Sequence, residues 1–552
     1  MSAQPLYLDA GDEAFLAFLH DPPGGRGTRA VLVCPQLGWD DVCAYRSRFE
    51  WAERLAARGF TALRLDLPGT GDSPGSHDDP RRLEAWTKAI AEAARTLRSR
   101  GATRVAAVGI GAGGLVLWRA VTAGAPVDEL VLWAVPAKGR LAVRELKAFA
   151  QVEEQALGIG EGQFAAGGFP QSDELLADLG ALDLTALPLP RGLRVLLLER
   201  DTLPVDKALV ETLDRAGIEF TTAAGEGYGD MLAEPAFARP PQAVFETVES
   251  WLGGPGAALP AESPPTGAAP VDERVTEHPL AVEHAGRRLV GVLAEPDRKR
   301  DAVCAVLLNA GAIRRIGPNR MWVELARRLA AQGVPTFRLD FAGIGDAEGN
   351  GRFADVASLY QTEFAGQISA ALDVLQRRLG AQRFVLTGLC SGGYWAFQGA
   401  LQDPRVVASA SINAGVLEWS PLLLEDRRLQ PLRQKLWRRA PGDLPALARV
   451  VGRRLRGRAT RTLGRDSLAR GLNHLRDRGT KVLLLFAELE PQLHELERDG
   501  YLARLPRWSN VTVERLPGRD HTLRPRPMQD AAHAALDRML SELLRGTGSA
   551  SG

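Results

Sequence analysis

The sequence is poor in lysine, cysteine and long apolar runs. Only seven of its 68 basic residues are lysine and the other 61 are arginine, a bias that by itself assigns no function. Four cysteines, Cys34, Cys43, Cys304 and Cys390, are too few in 552 residues for a disulfide framework, and no C-x-x-C pair offers zinc ligands. No stretch of about 18 apolar residues exists, so no membrane-spanning helix is expected. The N-terminus MSAQPLYLDAGDEAF has neither the basic nor the apolar region of a signal peptide. The net charge of +1 supplies no global field to draw in nucleic acid. What is present is 45% hydrophobic and 24% charged residues, ordinary for a globular protein. The length exceeds one ordinary core and implies several domains. A cytoplasmic location with reduced thiols is expected, and neither a cofactor nor a metal.

The chain repeats itself. Residues 51–75 (WAERLAARGFTALRLDLPGTGDSPG) and 325–349 (LARRLAAQGVPTFRLDFAGIGDAEG) are identical at 13 of 25 positions, without a gap, at an offset of 274. So long a period means duplicated domains rather than a solenoid. The Pro-, Gly- and Ala-rich stretch 253–270 reads as a linker between a first domain, 1–252, and a second, 271–552. Each half alternates short, almost wholly apolar runs with helical patterns. In the first half these are RAVLVC, TALRLDL, RVAAVGI, ELVLWAV and RVLLLE; in the second, AVCAVLLNA, PTFRLDF, RFVLTGL, VVASASINA and KVLLLFAE. Such strands suit parallel sheets covered on both faces, so the expected fold is α/β, two doubly wound, mostly parallel sheets in tandem. Any site then lies at the C-terminal ends of the strands.

In the second half RFVLTGLCSGGYWAF (383–397) reads as strand, glycine-rich turn and helix, with Cys390 in the nucleophile place of a G-x-nucleophile-x-G elbow. The free N–H groups of the following helix favour a thiolate there and aim the Ser391 N–H at an oxyanion. Ser391 as nucleophile is one residue out of register. A nucleophile needs a base and an orienting acid, and in this arrangement the chain order is nucleophile, acid, histidine. His521, in the loop Gly518-Arg519-Asp520-His521-Thr522 after NVTVERLP, fits the base; His494 and His533 are expected on helix surfaces. Glu490, at the end of the preceding strand, is the preferred acid, with Glu488 and Glu418 as alternatives. The Ala312 N–H, in the loop Asn309–Ile313, is the candidate second oxyanion donor.

The segments LLNAGAIRRIGPNRMWVELARRLA, FRLDFAGIGD, GLCSGG and GRDHT resemble the α/β-hydrolase superfamily, in its serine aminopeptidase-like branch and nearest the tandem or paired hydrolases found beside exosortase and polysaccharide systems. The cysteine in place of serine is similar to dienelactone hydrolases and polyhydroxyalkanoate synthases. The resemblance implies acyl chemistry: hydrolysis or transfer from an ester or thioester through a Cys390 acyl-enzyme. The alternative reading is a noncatalytic pseudo-hydrolase serving as a binding or assembly partner.

The first half has the pattern without the residues. Gly111 stands in the nucleophile register of Gly109-Ile110-Gly111-Ala112-Gly113-Gly114. Asp201 occupies the acid place, and the expected histidine loop, 224–230, has no histidine. Gly109, Gly111 and Gly114 also spell G-x-G-x-x-G, but Asp128 and Glu129 precede the next strand instead of ending it, against a dinucleotide site. Gly71–Gly75 spells G-x-S-x-G around Ser73 without forming an elbow. Asp66 and Asp340, in the shared RLD, are expected to fix loops at strand ends. In the second half an insertion, approximately 417–480, sits where this superfamily places its lid. From Leu422 to Thr480 it holds 16 basic and five acidic residues. Such a cap suits an anionic acyl donor, a carrier-protein or coenzyme A thioester, or contact with an anionic membrane surface. No nucleic acid partner is expected, for want of aromatic stripes on strands.

Overall fold

In the computed structural model, residues 3–545 are described except 12, 158–165, 170, 263–266, 300–301, 352–355, 361–362 and 418–466. Two mixed sheets carry the chain. The first has eight strands in the spatial order Gln4–Asp9, Ala14–His20, Thr61–Leu65, Arg29–Val33, Arg104–Ile110, Glu129–Trp133, Arg194–Leu198 and Glu219–Ala223. The second has nine: Ala269–Pro270, Val275–His284, Arg287–Pro296, Thr336–Leu339, Val303–Leu308, Arg383–Leu389, Val406–Ile412, Lys481–Phe486 and Val511–Arg515. In both, the strands at the N-terminal edge pair antiparallel and the rest pair parallel. The parallel strands are the ten apolar runs of the sequence plus one at each far edge. Residues such as Val306, Phe384 and Leu386 are fully buried, as a sheet covered on both faces requires.

The opening hairpins carried no turn signal. Val275–His284 and Arg287–Pro296 are joined through Ala285 and Gly286, both at positive φ (49° and 73°). Only the glycine advertises that conformation; the alanine is held there by the ladder of ten residue pairs beside it. The stretch 253–270 is not featureless. Ala258–Leu259 pairs with Arg26–Gly27, the Ala257 N–H donates to Thr28 Oγ1 (2.8 Å), and Ala269–Pro270 opens the second sheet.

The repeated segment forms the contact between the halves. Arg64 donates to Asp346 (2.7 Å), and its counterpart Arg338 pairs with Asp72 (3.1 Å). Arg46 donates to the carbonyls of Gly345, Ala347 and Gly349, and its counterpart Arg320 to those of Gly71, Ser73 and Gly75. Each mirrored pair is related by the 274-residue offset, so the halves meet about a pseudo-two-fold axis, as the subunits of an isologous dimer do. Arg314 and Arg315 break the symmetry. Arg314 holds Asp66 (2.8 Å), and Arg315 holds Asp72 (2.8 Å), Asp340 (2.6 Å) and Asp346 (2.7 Å). Four guanidinium groups thus face four carboxylates, all essentially without solvent exposure. A buried charge tolerates that only when paired.

Asp66 and Asp340 also fix their own loops, by accepting the N–H groups of Asp72 (2.9 Å) and Asp346 (3.3 Å). Gly71 and Gly345, at φ 53° and 54°, leave no room for a Cβ beside these carboxylates, which explains the shared G-x-G-D. Ser73 is a structural hydroxyl: it donates to Asp66 O (2.7 Å), accepts the Leu16 N–H (2.9 Å) and is fully buried.

Candidate active site

The strand Arg383–Leu389 ends in a turn at Cys390, and the helix Ser391–Gln402 begins on the next residue. Cys390 has φ 58° and ψ −120°, a conformation that costs a non-glycine residue about 1–3 kcal/mol. The turn persists because its neighbours are glycine. A Cβ on Gly388 would overlap the Gly392 backbone, and one on Gly392 would overlap the Asn309 carbonyl. The Cys390 N–H donates to Ile412 O (2.9 Å), and its carbonyl accepts from Gly393 (3.1 Å) and Tyr394 (3.3 Å). Ser391, one residue on, is buried in the first helical turn, while the Cys390 side chain stays partly exposed.

The His521 ring lies beside the Cys390 thiol, near enough for each to shift the other's ionisation, and its Nδ1 lies 2.8 Å from Glu490 Oε1. Glu490 is buried at the N-cap of the helix Pro491–Arg498. Glu488 lies elsewhere: it is exposed, accepts the Gly518 N–H (3.2 Å) and faces Arg519. Glu418 lies outside the described residues, as does most of the basic insertion. The loop carrying Ala312 begins at Asn309, whose carbonyl touches the elbow at Gly392. Among the described residues no group takes the Ala312 N–H.

Asn413 was not singled out by sequence. It follows the strand Val406–Ile412 at φ 44°, donates to the His521 carbonyl (2.7 Å) and accepts the Ala487 N–H (2.8 Å). It ties the histidine loop to the acid loop. The only signal was an asparagine at the end of a parallel strand, where the left-handed conformation favours that residue. His533, expected at the surface, is instead buried in the helix Arg526–Arg545, and burial beside Arg328 and Arg526 pushes it down to about 3.

The electrostatics separate Cys390 from the other thiols. Burial raises Cys34 to about 12 and pushes Cys304 up as well. At Cys390 burial acts in the same sense, but the His521 charge and hydrogen bond and the Ser391 N–H outweigh it, and the thiol falls below its ordinary value. For His521 burial lowers the ring, while Cys390 and Glu490 raise it further, to a net value well above the ordinary one. Each group thus favours the charged form of the other, which draws the pair toward thiolate and imidazolium. Iodoacetamide at neutral pH is therefore expected to alkylate Cys390 and spare Cys34, Cys43 and Cys304, which are buried. Since the thiolate is the reactive form and its pKa is depressed, the midpoint of the rate against pH should lie below that of an ordinary thiol. His521→Ala should move that midpoint up by a pH unit or more. Equal labelling of all four thiols at neutral pH would contradict this assignment.

The first half differs at every one of these places. Gly111 keeps the elbow conformation, at φ 52°, but has no side chain. Asp201 accepts the N–H groups of Gly227 (2.7 Å), Tyr228 (2.9 Å) and Gly229 (3.0 Å) instead of a ring nitrogen. Tyr228 Oη would lie 2.6 Å from a Cβ placed on Gly111, so a phenol fills the place of a nucleophile. Asp128 pairs with Arg98 (2.5 Å), and Glu129 with Arg29 and Arg194 (each 2.5 Å); neither is free for a nucleotide ribose.

Among the described residues no helix is long and apolar enough to cross a membrane, and no three His, Cys, Asp or Glu side chains gather as metal ligands. No curated protein matches the chain. Solved structures that resemble it include an alpha/beta hydrolase from Penicillium sp. sh18, 17% identical, covering 49% of this chain and 98% of its own, with a TM-score of 0.31. A dienelactone hydrolase from Anabaena variabilis ATCC 29413 is 15% identical over 48% of this chain and 97% of its own (TM-score 0.31). A proline iminopeptidase-related protein from Thermus thermophilus is 20% identical over 47% and 100% (TM-score 0.32). Residues 305–538, which carry the elbow, Glu490 and the His521 loop, match the family described as alpha/beta hydrolase. The family match therefore falls on the second sheet, the one that carries Cys390.

Proposed function

We propose that the second half is an acyl ester or thioester hydrolase or acyltransferase working through a covalent Cys390 intermediate. The observation that carries this reading is the arrangement of the Cys390 thiol beside His521, whose ring is hydrogen-bonded to Glu490, on a turn that holds Cys390 at φ 58°. In the first step the thiolate attacks the acyl carbon, and the carbonyl oxygen takes up the negative charge. The N–H groups of Ser391 and Ala312 receive that charge. The imidazolium gives its proton to the departing alkoxide or thiolate, and the acyl group stays on sulfur. Water or another acceptor then attacks, His521 takes its proton, and the thiol is released. Glu490 fixes the ring's orientation and stabilises its charge.

The basic insertion supports a donor with an anionic carrier, a carrier-protein or coenzyme A thioester, or contact with an anionic membrane. The free thiol favours a reducing, cytoplasmic setting. The first half, with Gly111 in place of a nucleophile and Tyr228 over it, acts as a noncatalytic partner. The test is intact-mass spectrometry after a pulse of short- and medium-chain acyl thioesters. One acyl increment per chain is expected, located on Cys390 and absent from Cys390→Ala. No Cys390 adduct and no turnover above the uncatalysed background, in wild type and variant alike, would overturn the covalent reading and favour a noncatalytic pseudo-hydrolase.

A further inference from the structure

The first half has lost a reacting group and kept a cavity. A pocket of about 640 Å³ opens over Gly111, within the range of small-molecule sites. Nineteen of its 24 lining residues are apolar or glycine. Its floor is Tyr228, held edge-on by Trp133 (5.5 Å between ring centres), with the Arg200 guanidinium 4.8 Å over its ring. Of the six large apolar side chains exposed among the described residues, three, Leu141, Phe149 and Leu203, line this pocket. Exposed apolar groups gathered at one mouth mark a binding site rather than random surface.

The charges around it select the ligand. Asp40, Glu145, Asp206 and Arg200 line the wall, and Arg200 is already paired with Glu145 (2.9 Å). The remaining carboxylates, Asp40 and Asp206, repel an anion, and the guanidinium, spent on Glu145, offers it no partner. Burial pushes Asp40 up to about 6, so at neutral pH it is a poorly solvated acceptor that a hydroxyl donor relieves. The Tyr228 phenol lies on the same floor.

We infer that the first half binds a single-chain amphiphile with a hydroxyl head and no negative charge, an alkyl alcohol or monoacylglycerol, with its chain in the apolar pocket and its hydroxyl toward Asp40 and Tyr228. The site needs no chemistry from the second half: the first half supplies walls, floor and polar groups. Asp201, once free of a histidine, now caps the backbone that carries the floor residue Tyr228, and so serves binding instead of proton transfer.

The test is calorimetric titration of the full chain with decanol and decanoate. Decanol is expected to saturate one site per chain, with decanoate at least tenfold weaker. Affinity should rise about fourfold per methylene from octanol to decanol. Ala112→Phe, which fills the floor beside Gly111, should weaken decanol at least tenfold. Leu203→Asp, at the exposed rim where folding is not at risk, should weaken it severalfold. Absence of saturable binding, decanoate binding as tightly as decanol, or binding untouched by both pocket variants would each overturn the proposal.

Discussion

Cys390→Ala is expected to lower turnover of an acyl thioester by about 10⁴-fold or more, as loss of a nucleophile does in relays of this kind. The same loss is expected for His521→Ala, and the double variant should be no worse than either single one. The three groups act on one reaction coordinate, so removing the second member of a broken relay costs nothing further. Glu490→Gln should retain more activity, falling about 10²- to 10⁴-fold, because the amide still bonds the ring but no longer stabilises its charge. Steady-state kinetics decide the matter. Additive losses in the double variant would mean that Cys390 and His521 act separately, against their working as one unit.

Asp346→Asn is expected to destabilise the protein by about 3–5 kcal/mol, the cost of stranding buried charges. Its carboxylate accepts from Arg64 (2.7 Å), Arg315 (2.7 Å) and the Tyr45 hydroxyl (2.6 Å), with no solvent to replace it. Urea unfolding should show the midpoint falling. The paired change Arg64→Met with Asp346→Leu should cost less than the single change, since it removes a guanidinium together with its partner while Arg315 keeps Asp72 and Asp340. The pH dependence follows with a definite sign. Burial alone would raise Asp346, but Arg64, Arg315 and Tyr45 hold it far below the ordinary range. A carboxyl depressed by folding contributes stability that is full above its unfolded value, about 3.9, and is lost as pH falls through and below it. Acid should therefore loosen the contact between the halves, and alkali up to the thiol range should not.

What the sequence disclosed depended on how local the cause was. The elbow was legible because strand, glycine turn and helix are consecutive, and each glycine answers a contact within the turn or its immediate neighbour. His521 was found by chain order and Glu490 by its place after an apolar strand. Both sit on the ends of parallel strands, where the fold leaves little freedom. Asn413 escaped notice because its work, joining two loops about 75 and 110 residues further on, exists only once the sheet has formed. Tyr228 escaped for the same reason: nothing in Gly-Tyr-Gly-Asp announces that a phenol will cover Gly111. The repeated R-L-D and G-x-G-D segments were recognised as a duplication and as loop fixing, but not as a charged junction, because each arginine finds its acid in the other copy. His533 was misjudged because a helical histidine amid alanine and polar residues does not reveal which face its helix turns to the core.

The mirrored pairing of Arg64 with Asp346 and of Arg338 with Asp72 carries one more consequence. A patch that complements itself is satisfied by a single encounter, and here both members hang on one polypeptide. Joining such modules in one chain holds them at an effective concentration of about the millimolar range, above what free copies reach in solution. Dilution therefore leaves the assembly intact, its proportion of one phenol-floored cleft to one reactive sulfur is fixed at synthesis, and the face spent on self-recognition is closed to any third copy.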